Sequence, residues 1–233
     1  MDNINNSLIV RHIKSMGKML YATDLYRFAI NYILKIKKDR FYQFIENDTQ
    51  VYDIDESFPP GDKITIENAT TSLTTLLQLF TQQFFQFARS FYDYMSQIIA
   101  ILYIGNNERR LYDFQKIYEE VNSHNTSYPN NLIDFVKSIY ESENYKYLCD
   151  LNNTIKHDYA FAPEVYWDTI TLIPSAEIPA FTKRHGRSQA PSHHQKTNLE
   201  KQIIKTRNDM VSHYRKFLEI IKDSKSSLSS GKE

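Results

Sequence analysis

An all-α chain is what this sequence predicts, and three observations predict it. Five glycines and seven prolines are too few for the many tight turns of an all-β protein. Apolar residues recur at intervals of three and four over long stretches, which puts them on one face of a helix. With 41% hydrophobic and 14% aromatic residues, a chain of 233 residues buries a substantial core. The expected architecture is a single helical domain, 1–233: a bundle with a long central helix and a proline-rich insertion before the last helix.

The first region, 1–47, is dense in Leu, Ile, Met, Tyr and Phe and reads as one or two helices, with a break near Gly17 or Thr23. "NDTQVYDIDESFPPGDK" carries turn residues and Pro-Pro-Gly, so it reads as a loop. The core helices occupy 67–159. From Glu67 to Ile104, Leu73, Leu77, Phe80, Phe84, Phe87, Phe91, Met95, Ile98 and Leu102 keep the helical period, and Gly105 ends it. "RRLYDFQKIYEEV", "NLIDFVKSIYES" and "NYKYLCDLNNTIKHDY" follow as shorter amphipathic helices.

Residues 160–196 hold four of the seven prolines. The β-rich "EVYWDTITLIP" fits a short hairpin arm, and "TKRHGRSQAPSHHQK" reads as a flexible loop. The helical period returns over 197–223, with Thr197 or Asn198 as cap, and "DSKSSLSSGKE" reads as a frayed polar tail.

Charge narrows the partners little. Lysine plus arginine equals aspartate plus glutamate, 28 against 28, so global charge points to neither nucleic acid nor membrane. Locally, Lys183 to Lys222 holds ten basic residues against three acids. The single Cys149 excludes an internal disulfide framework and any multi-cysteine zinc site. Neither a signal peptide nor a membrane span is expected, so the expected location is the cytoplasm.

On the last helix, Leu199, Ile203, Met210, Tyr214, Phe217 and Ile221 form one stripe at about 100° per residue, and Arg207 falls inside it. A buried guanidinium must either meet a carboxylate, for which Asp93 or Asp150 would serve, or lie beside a cleft that admits an anion. His213 sits on the other flank of the stripe, about 120° away across Met210. An imidazole titrating near neutrality and a fixed cation aimed at one groove suit phosphodiester chemistry: His moves protons and Arg holds the developing charge. Asn208 and Tyr214 add hydrogen-bonding groups nearby. In "DLNNTIKHDY", Asn152 faces the core with Leu148, Leu151 and Ile155, Lys156 lies at the edge and His157 points away. A core-facing Asn requires partners and would orient Arg207 or His213, with Lys156 adding positive charge.

Arg207, then Asn208, four residues, then His213 and Tyr214 on the last helix of an all-α chain resemble the HEPN superfamily, whose hallmark is Arg, four to six residues, His. Here "NDMVS" separates the pair. "NNTIKH" is similar to the Asn-x-x-Lys-His element of some bacterial branches, and the resemblance spans about Glu67 to Lys222. It implies a homodimer in which two such helices form a composite cleft, and a metal-independent endoribonuclease with no cofactor. In that chemistry a ribose 2′-hydroxyl attacks the adjacent phosphorus and leaves a 2′,3′-cyclic phosphate. Arg207 and His213 would be catalytic, and Asn208, Tyr214, Asn152 and Lys156 supporting. RNA or a nucleotide is the implied ligand, and an antitoxin or defence-system protein the implied partner. The long N-terminal region and the insertion 160–196 depart from the family pattern.

Two other readings stand beside it. One is a catalytically silent helical module using the same groove to bind nucleotide, RNA or protein. The other is a purely structural bundle with Arg207 in a salt bridge. His185, His193 and His194 lie in a polar stretch with no acid or cysteine to complete a metal site, so no metal is expected.

Overall fold

The computed structural model describes residues 3–47, 63–66, 69–105, 112–157, 161–167, 174–183 and 191–230. Six α-helices carry most of them, so the chain is all-α with a few short strands.

Helix α1, Asn3–Asn47, is one uninterrupted element. The expected break is absent: a side chain at Gly17 would meet nothing within 4 Å, so the backbone there is not shaped by a close approach. Thr23 is fully buried, and its hydroxyl donates to the Leu20 carbonyl at 2.7 Å, inside the helix. Neither residue needs a turn.

The central helix starts at Leu73, the first residue of its apolar period, and not at Glu67 as expected. Strands β1, Lys63–Ile66, and β2, Ala69–Ser72, form an antiparallel hairpin, and only then does α2, Leu73–Ile99, begin. The β-branched Thr70 and Thr71 suit the pleat. Ser72 accepts the Thr75 N–H at 2.9 Å, which makes it the cap of α2. At the far end Ala100–Ile104 widens into a π-helical turn, and Gly105, at φ +77°, donates its N–H to the Ala100 carbonyl. Nearly every other residue type is strained at that angle.

Helix α3, Phe114–Ser123, is capped by Asp113, which accepts the Lys116 N–H at 2.9 Å. Helices α4, Asn130–Tyr140, and α5, Glu143–His157, follow. In the insertion, β3, Glu164–Trp167, pairs with β4, Pro174–Ile178, as the expected hairpin. The stretch read as flexible is partly ordered: β5, Phe181–Lys183, pairs with β6, Ser192–His194, and β7, Thr197–Asn198, joins β4. His193 bonds Thr182 at 3.0 Å, and His194 stacks on Phe181 with centroids 4.5 Å apart. His185 lies outside the described residues, as does most of the loop after α1. Helix α6, Leu199–Ser230, is capped by Asn198, which accepts the Lys201 N–H at 2.9 Å. It continues to Ser230 through the segment expected to fray.

The chain divides into two compact units. The first comprises 1–23, 86–152 and 204–233; the second comprises 24–85 and 153–203. In the first, Ile9 and Met16 of α1, Phe91 and Met95 of α2, Phe114, Phe135, Leu148, Met210 and Phe217 are buried. In the second, Ile30, Leu77, Phe84, Phe85, Ile155, Ile178 and Ile203 are buried, and Gln78 and Gln82 both donate to the Phe161 carbonyl, at 3.1 and 3.0 Å.

Candidate functional site

Within the first unit, α6 presents His213 to an aromatic wall. Its Nδ1 lies 2.9 Å from the Tyr92 hydroxyl, and its ring meets Tyr92 and Phe135 edge-on, at 5.8 and 6.3 Å between centroids. His213 is half-buried. Burial pushes the imidazole below its ordinary value, Lys216 pushes the same way, and Asp209 opposes them in part. His213 is therefore neutral at neutral pH, the form a general base requires.

The Tyr92 phenol is pushed well up, first by burial, then by Asp209 and Cys149, with Arg89 pulling against them. It stays protonated and can serve either tautomer of the imidazole. When Nδ1–H donates to the phenol oxygen, Nε2 carries the lone pair, and protonation at Nε2 leaves the Tyr92 bond intact.

Behind Tyr92 lies a polar layer built by α2 and α5. Tyr145 packs edge-on against Tyr92 at 5.1 Å. Arg89 donates to the Tyr145 hydroxyl and, at 3.3 Å, to Cys149 Sγ, and pairs with Asp93 at 3.3 Å. Burial pulls that guanidinium down, and Cys149, Tyr145 and Asp93 more than offset it, so Arg89 remains charged. Burial also raises the Cys149 thiol despite Arg89 beside it, which makes it a poor nucleophile at neutral pH. On the α6 side, Asn144 Nδ2 donates to Asp209 Oδ2 at 2.6 Å, so the carboxylate next to His213 is itself held.

The residues singled out by sequence do not all gather here. Arg207 is half-buried, with its Nη1 shielded from solvent, and a helical rotation of about 120° separates it from His213. Asp93, one carboxylate expected to neutralise Arg207, pairs with Arg89. Tyr214 is half-buried against Phe91, centroids 6.2 Å apart. Asn152 is buried in the first unit as expected, and its Oδ1 has no hydrogen-bond partner among the described residues. Lys156 is exposed and belongs to the second unit, and His157 is exposed. Asn208 faces outward, into an open depression it shares with Val211, Ser212, Arg215, Lys216 and Glu219.

Four residues escaped the sequence reading: Tyr92, Asp209, Asn144 and Lys216. Lys216 lies one turn after His213, is close enough to depress it, and also borders the depression. Its three-residue spacing from His213 was visible in the sequence; the Tyr92 contact, between residues 121 apart, was not. No cluster of metal-ligating residues occurs among the described residues, and no helix there is long and apolar enough to cross a membrane. No protein-family model, curated protein or solved structure matches this chain.

Proposed function

We propose that the chain is a metal-independent endoribonuclease similar to the HEPN type, with His213 as the proton-transfer group and Arg207 as the cation for the phosphorane. The observation that carries this reading is the state of His213: half-buried, kept neutral by its surroundings and held at Nδ1 by a buried phenol. A histidine that merely fills space needs no such fixed orientation.

In the proposed reaction the ribose 2′-hydroxyl loses its proton to Nε2 of His213 as the 2′ oxygen bonds to phosphorus. The bond from phosphorus to the 5′ oxygen breaks, the leaving oxygen takes a proton, and a 2′,3′-cyclic phosphate remains. Arg207 and Lys216 supply positive charge to the pentavalent phosphorus. One imidazole on one side of phosphorus cannot both take the 2′-hydroxyl proton and give a proton to the departing 5′ oxygen in line, so a second copy of the helix supplying the acid completes the chemistry. The resemblance points to RNA as ligand and to a role in toxin, defence or stress systems.

The test is incubation of purified protein with total RNA in EDTA, followed by mapping of cleaved ends. Wild type is expected to leave 2′,3′-cyclic phosphate termini. Arg207→Ala and His213→Ala should each lower the rate at least about a hundredfold, the scale of one general base or one charge-stabilising group. RNA left equally intact by all three proteins would reduce the site to a binding groove.

A further inference from the structure

The carboxylate of Asp209 stands one turn before His213 on α6, at the spacing that brings two side chains onto one face of a helix. It is half-buried, and Asn144 of α5, itself buried, donates to its Oδ2 at 2.6 Å. Among the described residues no lysine or arginine pairs with it. A pair that served only to tie α5 to α6 would cost less with two neutral amides, because a half-buried carboxylate loses hydration that a neutral partner restores only in part. The retained charge calls for a cation that forms beside it.

We infer that Asp209, clamped by Asn144, is a positioning residue that stabilises the imidazolium of His213. The inference rests on the cleavage reading, in which Nε2 takes the 2′-hydroxyl proton as the 2′ oxygen bonds to phosphorus. A positive charge then appears on a ring that its surroundings otherwise keep neutral. Asp209 touches no reacting atom and moves no proton; the proton stays on Nε2 until it passes to water or to a departing oxygen. The groups around the ring divide by sign. From α2 the Tyr92 hydroxyl occupies Nδ1, with Arg89, Asp93 and Cys149 in the layer behind it, and from α4 comes the uncharged ring of Phe135. On α6, Lys216 follows one turn after His213 and opposes a cation there. Asp209 is the anion whose charge reaches the ring, and it acts on both ends of the Tyr92–His213 bond. It favours the charged imidazole and disfavours loss of the phenol proton.

The clamp matters because an unrestrained aspartate on a helix turns towards water, where solvent and salt weaken its field at the ring. Held at Oδ2 by a buried amide, the carboxylate keeps its orientation through the proton transfer, and the stabilisation needs no reorganisation. Burial keeps the resting ring neutral and able to accept a proton, while Asp209 limits the cost of the charged ring that results.

The test separates this role from cleavage itself. The His213 ring is titrated by NMR in the full chain carrying isotope-labelled histidine, with His213→Gln identifying its signal. Asp209→Asn keeps an oxygen for Asn144 and removes the charge, and its His213 is expected to titrate at a lower pH than in wild type. Asn144→Ala, which frees the carboxylate, should move the titration the same way by less, and it reads the same effect if Asp209→Asn does not fold. Asp209→Glu, which restores the charge, should bring it back towards the wild-type value. With RNA in EDTA, the acid limb of the kcat profile of Asp209→Asn should move down with the titration, and its plateau should fall at least about tenfold. A folded Asp209→Asn protein whose His213 titrates where wild type does would overturn the inference, as would a rate loss in that variant with the acid limb unmoved. RNA left intact by wild type overturns the cleavage reading instead, and the titration still decides whether Asp209 acts on the ring.

Discussion

At His213 a side chain visible in the primary structure is given its properties by residues that are not adjacent to it in sequence. Tyr92 belongs to an aromatic run whose helical period reads as core, and it is core: it is 2% exposed. Only its hydroxyl, delivered to an imidazole 121 residues away, makes it part of the site. The lowered imidazole carries a stability consequence. The unfolded chain titrates at the ordinary value of about 6.5 and the folded chain below it, so between those two points the unfolded state binds more protons. Stability is at its full value above about 6.5 and is lost as pH falls from there to the folded value, with a slope of at most about 1.4 kcal/mol per pH unit. Urea midpoints measured from pH 8 down to pH 5 should show that slope in wild type and lose it in His213→Gln; equal slopes would mean that His213 titrates as an exposed histidine does. Arg89 supplies a second lesson at this scale. Its guanidinium, largely buried, meets the Asp93 carboxylate one turn along the same helix.

Among the elements, periodicity located the helices and local chemistry located their ends. The α2 stripe is buried at Leu73, Leu77, Phe84, Phe91, Met95 and Ile98, but the helix was read from Glu67, ahead of the first apolar member of the stripe, and Ala69–Ser72 pair in a hairpin. Apolar spacing says which face of a helix is inside; it does not say where the helix begins. That was decided by Ser72, whose hydroxyl competes for the Thr75 N–H. The other end was legible, because Gly105 takes the left-handed conformation that closes the π-helical turn. Gly105→Ala should cost about 1 kcal/mol, from backbone strain alone, since a side chain there meets nothing within 4 Å. A loss of several kcal/mol in chemical denaturation would show instead that the segment after Gly105 packs against it. In α1 the sequence reading placed a break near Gly17 or Thr23. The structure keeps one helix, buries one face and leaves the other to solvent.

For the molecule as a whole, equal numbers of acidic and basic residues and a pI near 7.1 leave no net field to keep copies apart at neutral pH. Solubility in low salt should pass through a minimum near pH 7 and rise several-fold by pH 9, measured as the concentration remaining after precipitation; a flat profile would show that local charge patches outweigh the balance. The division into two compact units was not readable beforehand, because its boundaries fall inside α1, α2, α5 and α6 rather than in loops. Composition shifts and proline clusters mark linkers, and none of these four points has one.

By itself the sequence determined the helical class, most helix faces, Asn198 as one of two cap candidates for α6, the hairpin in the insertion and the His213 position on α6, since each follows from residues within a few turns of one another. Only the tertiary structure decided that Tyr92 holds His213, that Lys156 stands outside the first unit and that Tyr21, Leu25, Phe28 and Tyr32 of α1 are exposed. Those outcomes depend on which distant segments meet, and side-chain pairing across such distances is set by packing the whole core at once, which no local pattern encodes.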